Sequence, residues 1–563
     1  MSRDVVFEFV KKRFRIDTRS LAVFRIVAGI LIVADVLLRA RSFRFFYTDE
    51  GVLPVEVARN IIPSDAVSIF LLSGDPTVTA VLFVLHLLIG IQLIVGYHTR
   101  FAIVASFLLV VSLDWRNTLV TSYADVLFRH LLFWGMFLPL GERFSIDAIR
   151  RERAPRATFT GLAGMFILLQ MMFMYLANGS HKIPWREDWL SGESMIGILH
   201  YDTITFLLGD YLREITPLLQ FGGIMWYGLM LGSPALILVA GRIRYQLAGI
   251  YAGGHLFLAI TVRIGAFPYA ALMGLALFCQ SVFWADARRA ASILGLPVDR
   301  YYAAGVRYGA AIERRLPRVE IRDRLRERIP PTETVIARAE TPARFAVAFL
   351  VITSGVFMVV PNLQTVGAID EDREIALQEE VEDIQQNFRL VQPPWRFYQG
   401  PITYDEYYVF PAETEDGEVF DAFNDRPMSW ERAHGEKNHK QLETYRHRFF
   451  MYSIMTRGDE NREDGVIESY QRYLCENVEW NGSSLAYVNM YYIRERGDIE
   501  TIDDYTTYDR TATLMAAHSC SGGEPKDIVV PPIEYTHYSE DVYDRILDPE
   551  DELTYVGLQE EDD

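Results

Sequence analysis

The sequence predicts a polytopic α-helical membrane protein, with about nine transmembrane helices and a small α+β C-terminal extramembrane domain. Three observations predict it. Apolar runs of spanning or nearly spanning length recur between residues 21 and 360, while the chain after Gly367 is polar and acidic. Arginines collect in alternate connections, as the orientation rule for membrane helices requires. With 50% hydrophobic and 23% charged residues, the chain of 563 residues separates the two kinds of material along its length.

The expected spans are residues 21–38, 78–95, 101–113, 126–140, 158–177, 221–239, 248–262, 267–284 and 345–360. The third, fourth and seventh are short for a bilayer crossing, which needs about 20 residues. Residues 66–72 and 203–208 read as interfacial or re-entrant pieces. Lys11, Lys12, Arg13, Arg15 and Arg19 lead into the first run without a small-residue cleavage site, the pattern of an uncleaved anchor. Basic residues then recur at Arg143 to Arg156, at Arg242 and Arg244, and from Arg288 to Arg344. These connections belong on the cytoplasmic side. An odd number of spans then places the tail outside, in a multi-pass protein of the cell membrane.

Four parts follow: a bundle over 1–284, an arginine-rich cytoplasmic connector over 285–343, a final transmembrane helix over 344–365, and an acidic extracytoplasmic domain over 366–563. The connector, with Arg314, Arg315, Arg322 and Arg326 between short apolar groups, reads either as amphipathic helices along the membrane surface or as a solvated charged link. In the tail, residues 371–389 predict a helix stopped by Pro393 and Pro394. Residues 407–410 and 418–420 flank Asp416-Gly417 as a hairpin. Helices are expected over 440–455 and 466–475, and a strand over 486–493.

The formal charge of -19 lies mostly in the tail, which argues against nucleic acid as a partner. Acidity with abundant arginine and scarce lysine is a halophilic composition. Of 55 basic residues, 49 are arginine, and Lys182 is the single lysine between Lys12 and Lys437. Arginine stays protonated, whereas a desolvated lysine can lose its proton near neutral pH and act as a base. Lys182 follows the apolar run 158–177, beside Trp185 and Trp189, which suit a membrane interface or a stacking wall. Two readings stand: a base that takes a proton from a phenol-like group, or an anchor that snorkels to the interface.

Ionisable residues also occur within or beside the spans: Arg25, Asp35, His86, Asp125, Arg129 and His130. Charge at membrane depth is costly, and structural pairing is the expected solution. Cys279 lies in an apolar run, whereas Cys475 and Cys520 lie in the tail, where they could pair in an oxidising compartment. No phosphate-binding glycine loop, zinc-type spacing or serine elbow is present.

The segment Asn178-Gly179-Ser180-His181-Lys182, followed by Trp189 and Gly192-Glu193-Ser194-Met195, resembles the catalytic-lysine segment of vitamin K-dependent gamma-carboxylases. Lys182 matches the second residue of their Lys-Lys pair, the base, and His181 stands in place of the first. Leu21, Phe24, Arg25, Gly29 and Asp35, then Tyr47, Asp49, Gly51, Leu53 and Pro54, resemble the first span and exit loop of the horizontally transferred transmembrane domain (HTTM) family, the carboxylases' prokaryotic relatives. Gly96-Tyr97, Ser122-Tyr123, Gly254-His255-Leu256 and Ile264-Gly265-Ala266-Phe267-Pro268-Tyr269 continue the likeness. Trp395-Arg396-Phe397, Tyr407-Tyr408-Val409 and Asp416-Gly417 are similar to the tail of prokaryotic members. Thr121 and Leu256 depart from the carboxylases, which carry histidine and asparagine there.

The resemblance implies Lys182 and His255 as catalytic residues, the latter handling a proton or a hydrogen bond. It implies Trp185, Trp189, Phe267 and Tyr269 around a reduced menaquinone-type quinol, no metal, and a Cys475–Cys520 disulfide. The implied chemistry is deprotonation of the quinol by lysine, addition of dioxygen, removal of a carbon-bound proton from glutamate by the strong base so formed, and capture of carbon dioxide. Partners would be membrane lipid and a protein or peptide substrate. A second reading is a non-catalytic membrane scaffold or maturation factor whose acidic outer domain recruits partners. A transporter would show repeated half-domains, and the sequence has no such symmetry.

Overall fold

Asp17 accepts a hydrogen bond from the Arg19 N–H and so caps the first long helix, α1 (Thr18–Ala40). The next, α2 (Pro76–Val95), starts with proline after the capping carboxylate of Asp75 and stops at Gly96, whose φ is +67°. Gly96 is required twice over, because a Cβ there would also collide with the Arg25 guanidinium. Helices α1 and α2 pack closely at Gly29, where a Cβ would come within 2.8 Å of the Gly90 carbonyl. The structure, a computed structural model, describes residues 3–317, 332–369, 385–456, 464–532 and 536–537.

The bundle continues with α3 (Thr99–Arg116), α4 (Tyr123–Gly135), α5 (Leu162–Ser180), α6 (Thr216–Leu231), α7 (Arg242–Thr261) and α8 (Phe267–Leu275). After it come α9 (Ser281–Ile293), α10 (Val298–Glu313) and α11 (Thr332–Thr365). Every expected apolar run contains a helix. Among the described residues, however, only α1, α2, α5 and the Arg344–Thr365 part of α11 are long and apolar enough to cross a membrane. Phe267–Phe278 with Ser281–Ile293 would make a fifth only as a pair bent by 101°.

Two expected spans are broken for local reasons. The run 221–239 ends as α6 at Leu231 and resumes after Ser233-Pro234, because proline cannot continue a helix. The run 267–284 breaks at Cys279-Gln280, where the Cys279 carbonyl accepts from the Ser20 hydroxyl (2.6 Å) and the Gln280 side chain accepts from the Gly241 N–H. Residues 66–72 hold only the short turn Ile69–Leu71, and Thr205 in 203–208 bridges to Val262. The connector begins as α9 and α10; Arg322 and Arg326 lie outside the described residues.

The tail is an eight-stranded sheet built around β4 (Ser483–Arg496). On one side of it runs β5 (Asp509–Ser519); on the other run β1 (Tyr404–Val409) and β2 (Pro411–Thr414), all antiparallel to it. The hairpin around Asp416-Gly417 joins β2 to β3 (Val419–Asp421). Tyr407 to Val409 therefore pair with β4 and not across that turn, a correction to the expected hairpin. Helices α12 (Tyr445–Thr456) and α13 (Val466–Asn477) stand where the sequence places them. The expected helix over 371–389 falls almost wholly outside the described residues. Cys475 and Cys520 form a disulfide that ties α13 to the end of β5.

The tail is clamped to the bundle by buried charge. Arg39, Arg129 and Arg446 face Asp35, Asp114 and Asp125: Arg39 reaches Asp35 at 2.7 Å and both other carboxylates at 3.1 Å, Arg129 pairs with Asp114, and Arg446 reaches Asp125 at 2.7 Å and Asp35 at 2.8 Å. Three cations match three anions. The expectation of structural pairing holds for these residues, and Arg25 is held by the Phe144 carbonyl. A second clamp joins Asp202 of the bundle, through Arg432, to Asp405 and Glu495 of the sheet.

Removing Arg446 would leave Asp35 and Asp125 short of a cation. Arg446→Met is expected to cost about 3 kcal/mol, read from the unfolding midpoint in detergent, and an unchanged midpoint would refute the clamp. Cys475→Ser should remove about 4 kcal/mol from the tail, from chain entropy over a separation of 45 residues. Reduction should also slow the wild-type chain, but not the variant, on a denaturing gel.

Candidate active site

The end of α5 shapes the site. The helix runs through Asn178 and Gly179 to Ser180 and is followed by tight turns into the short helix Arg186–Ser191. Gly179 does not turn the chain by adopting positive φ; a Cβ there would lie 2.9 Å from that of Met230, so the glycine admits α6. Lys182, two residues beyond the helix, points back into the protein and is 2% exposed.

Its Nζ donates to the carbonyls of Phe397 and Tyr398, the second at 2.7 Å. It also lies 4.8 Å from the centroid of the Trp189 ring. Among the described residues no carboxylate offsets its burial, and desolvation drives its pKa well below 10.5. A neutral amine has two N–H bonds and one lone pair. With both hydrogens taken by carbonyls, the lone pair remains to accept a proton. The pKa of the neighbouring His181 is also lowered, pushed down to about 4 by burial and by Arg396.

The two carbonyls belong to a strap, residues 387–399, which comes from the tail and threads into the bundle. Trp115 Nε1 donates to Asn387, His130 Nε2 lies 3.1 Å from the Leu390 carbonyl, Asn178 donates to Trp395, and Trp189 Nε1 donates to Gln399 at 2.6 Å. Arg389, Trp395 and Tyr398 have φ of +51°, +56° and +43°, a region non-glycine residues rarely occupy. Such strain persists where surrounding contacts over-determine it.

The strap closes one wall of a cavity between the bundle and the tail. Met174, Met230, Leu258, Trp226 and Phe267 make it largely apolar. Lys182 and His255 both line it. His255, on α7, is fully buried; its Nε2 lies 2.7 Å from the Tyr175 hydroxyl, while its Nδ1 has no partner among the described residues. With the phenol donating, the neutral ring carries its proton on Nδ1 and presents an unused donor. A buried donor left unpaired costs about 1–3 kcal/mol. Phe267 stands between the two poles, 5.8 Å from the His255 ring and 4.7 Å from that of Phe397.

Of the expected ring-binding residues, Trp189 and Phe267 line the cavity, whereas Trp185 and Tyr269 do not. Tyr269 is 46% exposed, because two residues along a helix from Phe267 is more than half a turn. Trp185 caps its short helix with non-helical dihedrals and lies against Gly400. Sequence reasoning missed Tyr175, Trp226 and Tyr398. Only Tyr175 had a signal, since it falls one turn before Asn178 on the same helix face.

These features define a helical membrane protein with an apolar cavity beside its C-terminal sheet domain and a desolvated lysine in the cavity wall. Residues 14–284 match the model of the HTTM domain, so this part of the chain is similar to that family. No curated protein and no solved structure matches it. Both carbonyls that receive the Lys182 amine lie beyond the matched residues.

An unfolded chain protonates Lys182 up to about 10.5, whereas the folded protein does so only well below that value. In the window between, the unfolded state binds the extra proton, so stability rises with pH. Lys182→Met removes this term. The variant's stability relative to wild type should fall as pH rises toward about 10.5, by up to about 1.4 kcal/mol per pH unit. A gap that does not move with pH would mean that the amine stays charged.

Proposed function

We propose that this protein is an integral membrane enzyme of quinol- and dioxygen-dependent carbanion or carboxylation chemistry, with Lys182 as its base. The HTTM domain also occurs in vitamin K-dependent carboxylase, and the reading rests on one observation: a desolvated amine, satisfied by carbonyls and facing an apolar cavity, where arginine serves almost everywhere else. When bound, a menaquinone-type quinol supplies an acidic phenol and the electrons for dioxygen. Apolar cavity walls and an unpartnered buried ring nitrogen at His255 support the binding of such a ring.

Lys182 Nζ takes the phenolic proton through its free lone pair. The ammonium so formed keeps both carbonyls and gains the face of Trp189, which favours a cation. Nδ1 of His255 holds a ligand oxygen, and the Tyr175 hydroxyl fixes the orientation and tautomer of the imidazole. The apolar walls exclude water from a reactive centre. The protein would lie in the cell membrane as a multi-pass chain, its arginine-rich end cytoplasmic and its disulfide-bearing tail outside, where a protein or peptide substrate would approach.

The test uses the full chain in nanodiscs supplied with a reduced short-chain naphthoquinone, and follows dioxygen uptake. Lys182→Ala and Lys182→Arg should each lower uptake at least about 100-fold, the scale of a lost general base, with the chain still folded. Full uptake in Lys182→Arg would overturn the role. Tyr175→Phe should lower uptake about tenfold and shift its pH profile, because the phenol that sets the tautomer is gone.

A further inference from the structure

Helix α9 leaves the preceding helical segment, Phe267–Phe278, at 101°, and so turns across that segment's axis. It is tied down there: Asp286 accepts from Arg242 at 2.8 Å and from Tyr245 at 2.9 Å. Helix α10 packs back on the bundle through Gly309 against Ile149, and Arg150 pairs with Glu313 at 3.1 Å. The α9–α10 hairpin is therefore a fixed ledge at the arginine-rich end.

Its tip combines two kinds of surface. Ile293 and Leu294 are 79% and 73% exposed, and Leu296 follows at 53%. Beside them is an open recess lined by Arg288, Arg289, Ser292, Asp299 and Arg300. Arg288 is engaged by Asp299. Among the described residues, Arg289 and Arg300 have no ion-pair partner. The recess thus carries a net positive charge next to an apolar tip that no part of the described chain covers.

We infer that this recess binds the headgroup of an acidic phospholipid, with Arg289 and Arg300 on the phosphate and Ile293, Leu294 and Leu296 among the acyl chains. The charge selects an anion, and the adjoining apolar residues select one that carries hydrocarbon. A free phosphate would satisfy only the arginines. A soluble protein partner would have to cover a surface lying in the plane expected of the bilayer interface.

The test is lipid retention by the full chain, purified from nanodiscs of mixed phosphatidylcholine and phosphatidylglycerol and read by native mass spectrometry. Wild type should retain phosphatidylglycerol in preference to phosphatidylcholine. Arg289→Gln and Arg300→Gln should each reduce that preference about fivefold, the effect of one cation near an acidic leaflet. Arg289→Lys with Arg300→Lys should keep most of it, and Arg44→Gln, at the opposite end, should leave it unchanged. Ile293→Ser with Leu294→Ser should weaken retention without changing the unfolding midpoint. Equal retention of both lipids by wild type, or a preference untouched in the double glutamine variant, would overturn the site. Displacement of the retained lipid by inorganic phosphate alone would show a free-anion site and would equally overturn the lipid assignment.

Discussion

Two backbone carbonyls from outside the membrane domain receive the one buried lysine, and the arrangement of the rest follows from that contact. An amine in an apolar wall needs acceptors for its hydrogens. The helices around Lys182 spend their own carbonyls within their turns, so the acceptors must come from irregular chain. The strap at 387–399 supplies them at Phe397 and Tyr398, at the cost of non-glycine residues in left-handed conformations. Such a segment persists only if both of its ends are fixed. The tail sheet holds one end, and contacts from Trp115, Arg129 and His130 hold the other.

The charge clamps serve the same placement. Arg446 sits on a tail helix yet finds its carboxylates on α1 and α4, while Arg432 joins the sheet to Asp202. Pairs this deeply buried contribute little net stability compared with apolar residues of the same size, but they tolerate few alternative alignments. They fix how the tail sits on the bundle, and hence where the strap enters. The tail is consequently part of the cavity and not an appendage. Its deletion would expose Lys182 whatever the protein does, so truncation cannot separate an enzyme from a scaffold, whereas substitution at Lys182 can.

Much of this was legible. The apolar runs mark the helices, the odd lysine among arginines marks a residue of the cavity wall, and the tail cysteines pair as expected. Trp189, Phe267 and His255 reach the cavity together with Lys182. The failures have local causes. Tyr269 follows Phe267 by two residues, a spacing that sends a helical side chain to the other face. Pro234 and the Cys279-Gln280 break interrupt runs that hydropathy alone reads as continuous. The strand at Tyr407 to Val409 found a partner nearly 90 residues away in β4, beyond the reach of any turn signal.

Sequence by itself determined which segments are helical, which end of the bundle is basic, and that Lys182 stands alone among arginines, because hydropathy and residue chemistry are properties of each position and its near neighbours. Only the tertiary structure decided that this lysine is desolvated and that His255 keeps one nitrogen unpaired. It also decided that residues more than 200 positions downstream complete the site. Burial and hydrogen-bond satisfaction depend on what the remote chain brings into contact, and that information resides in no single segment.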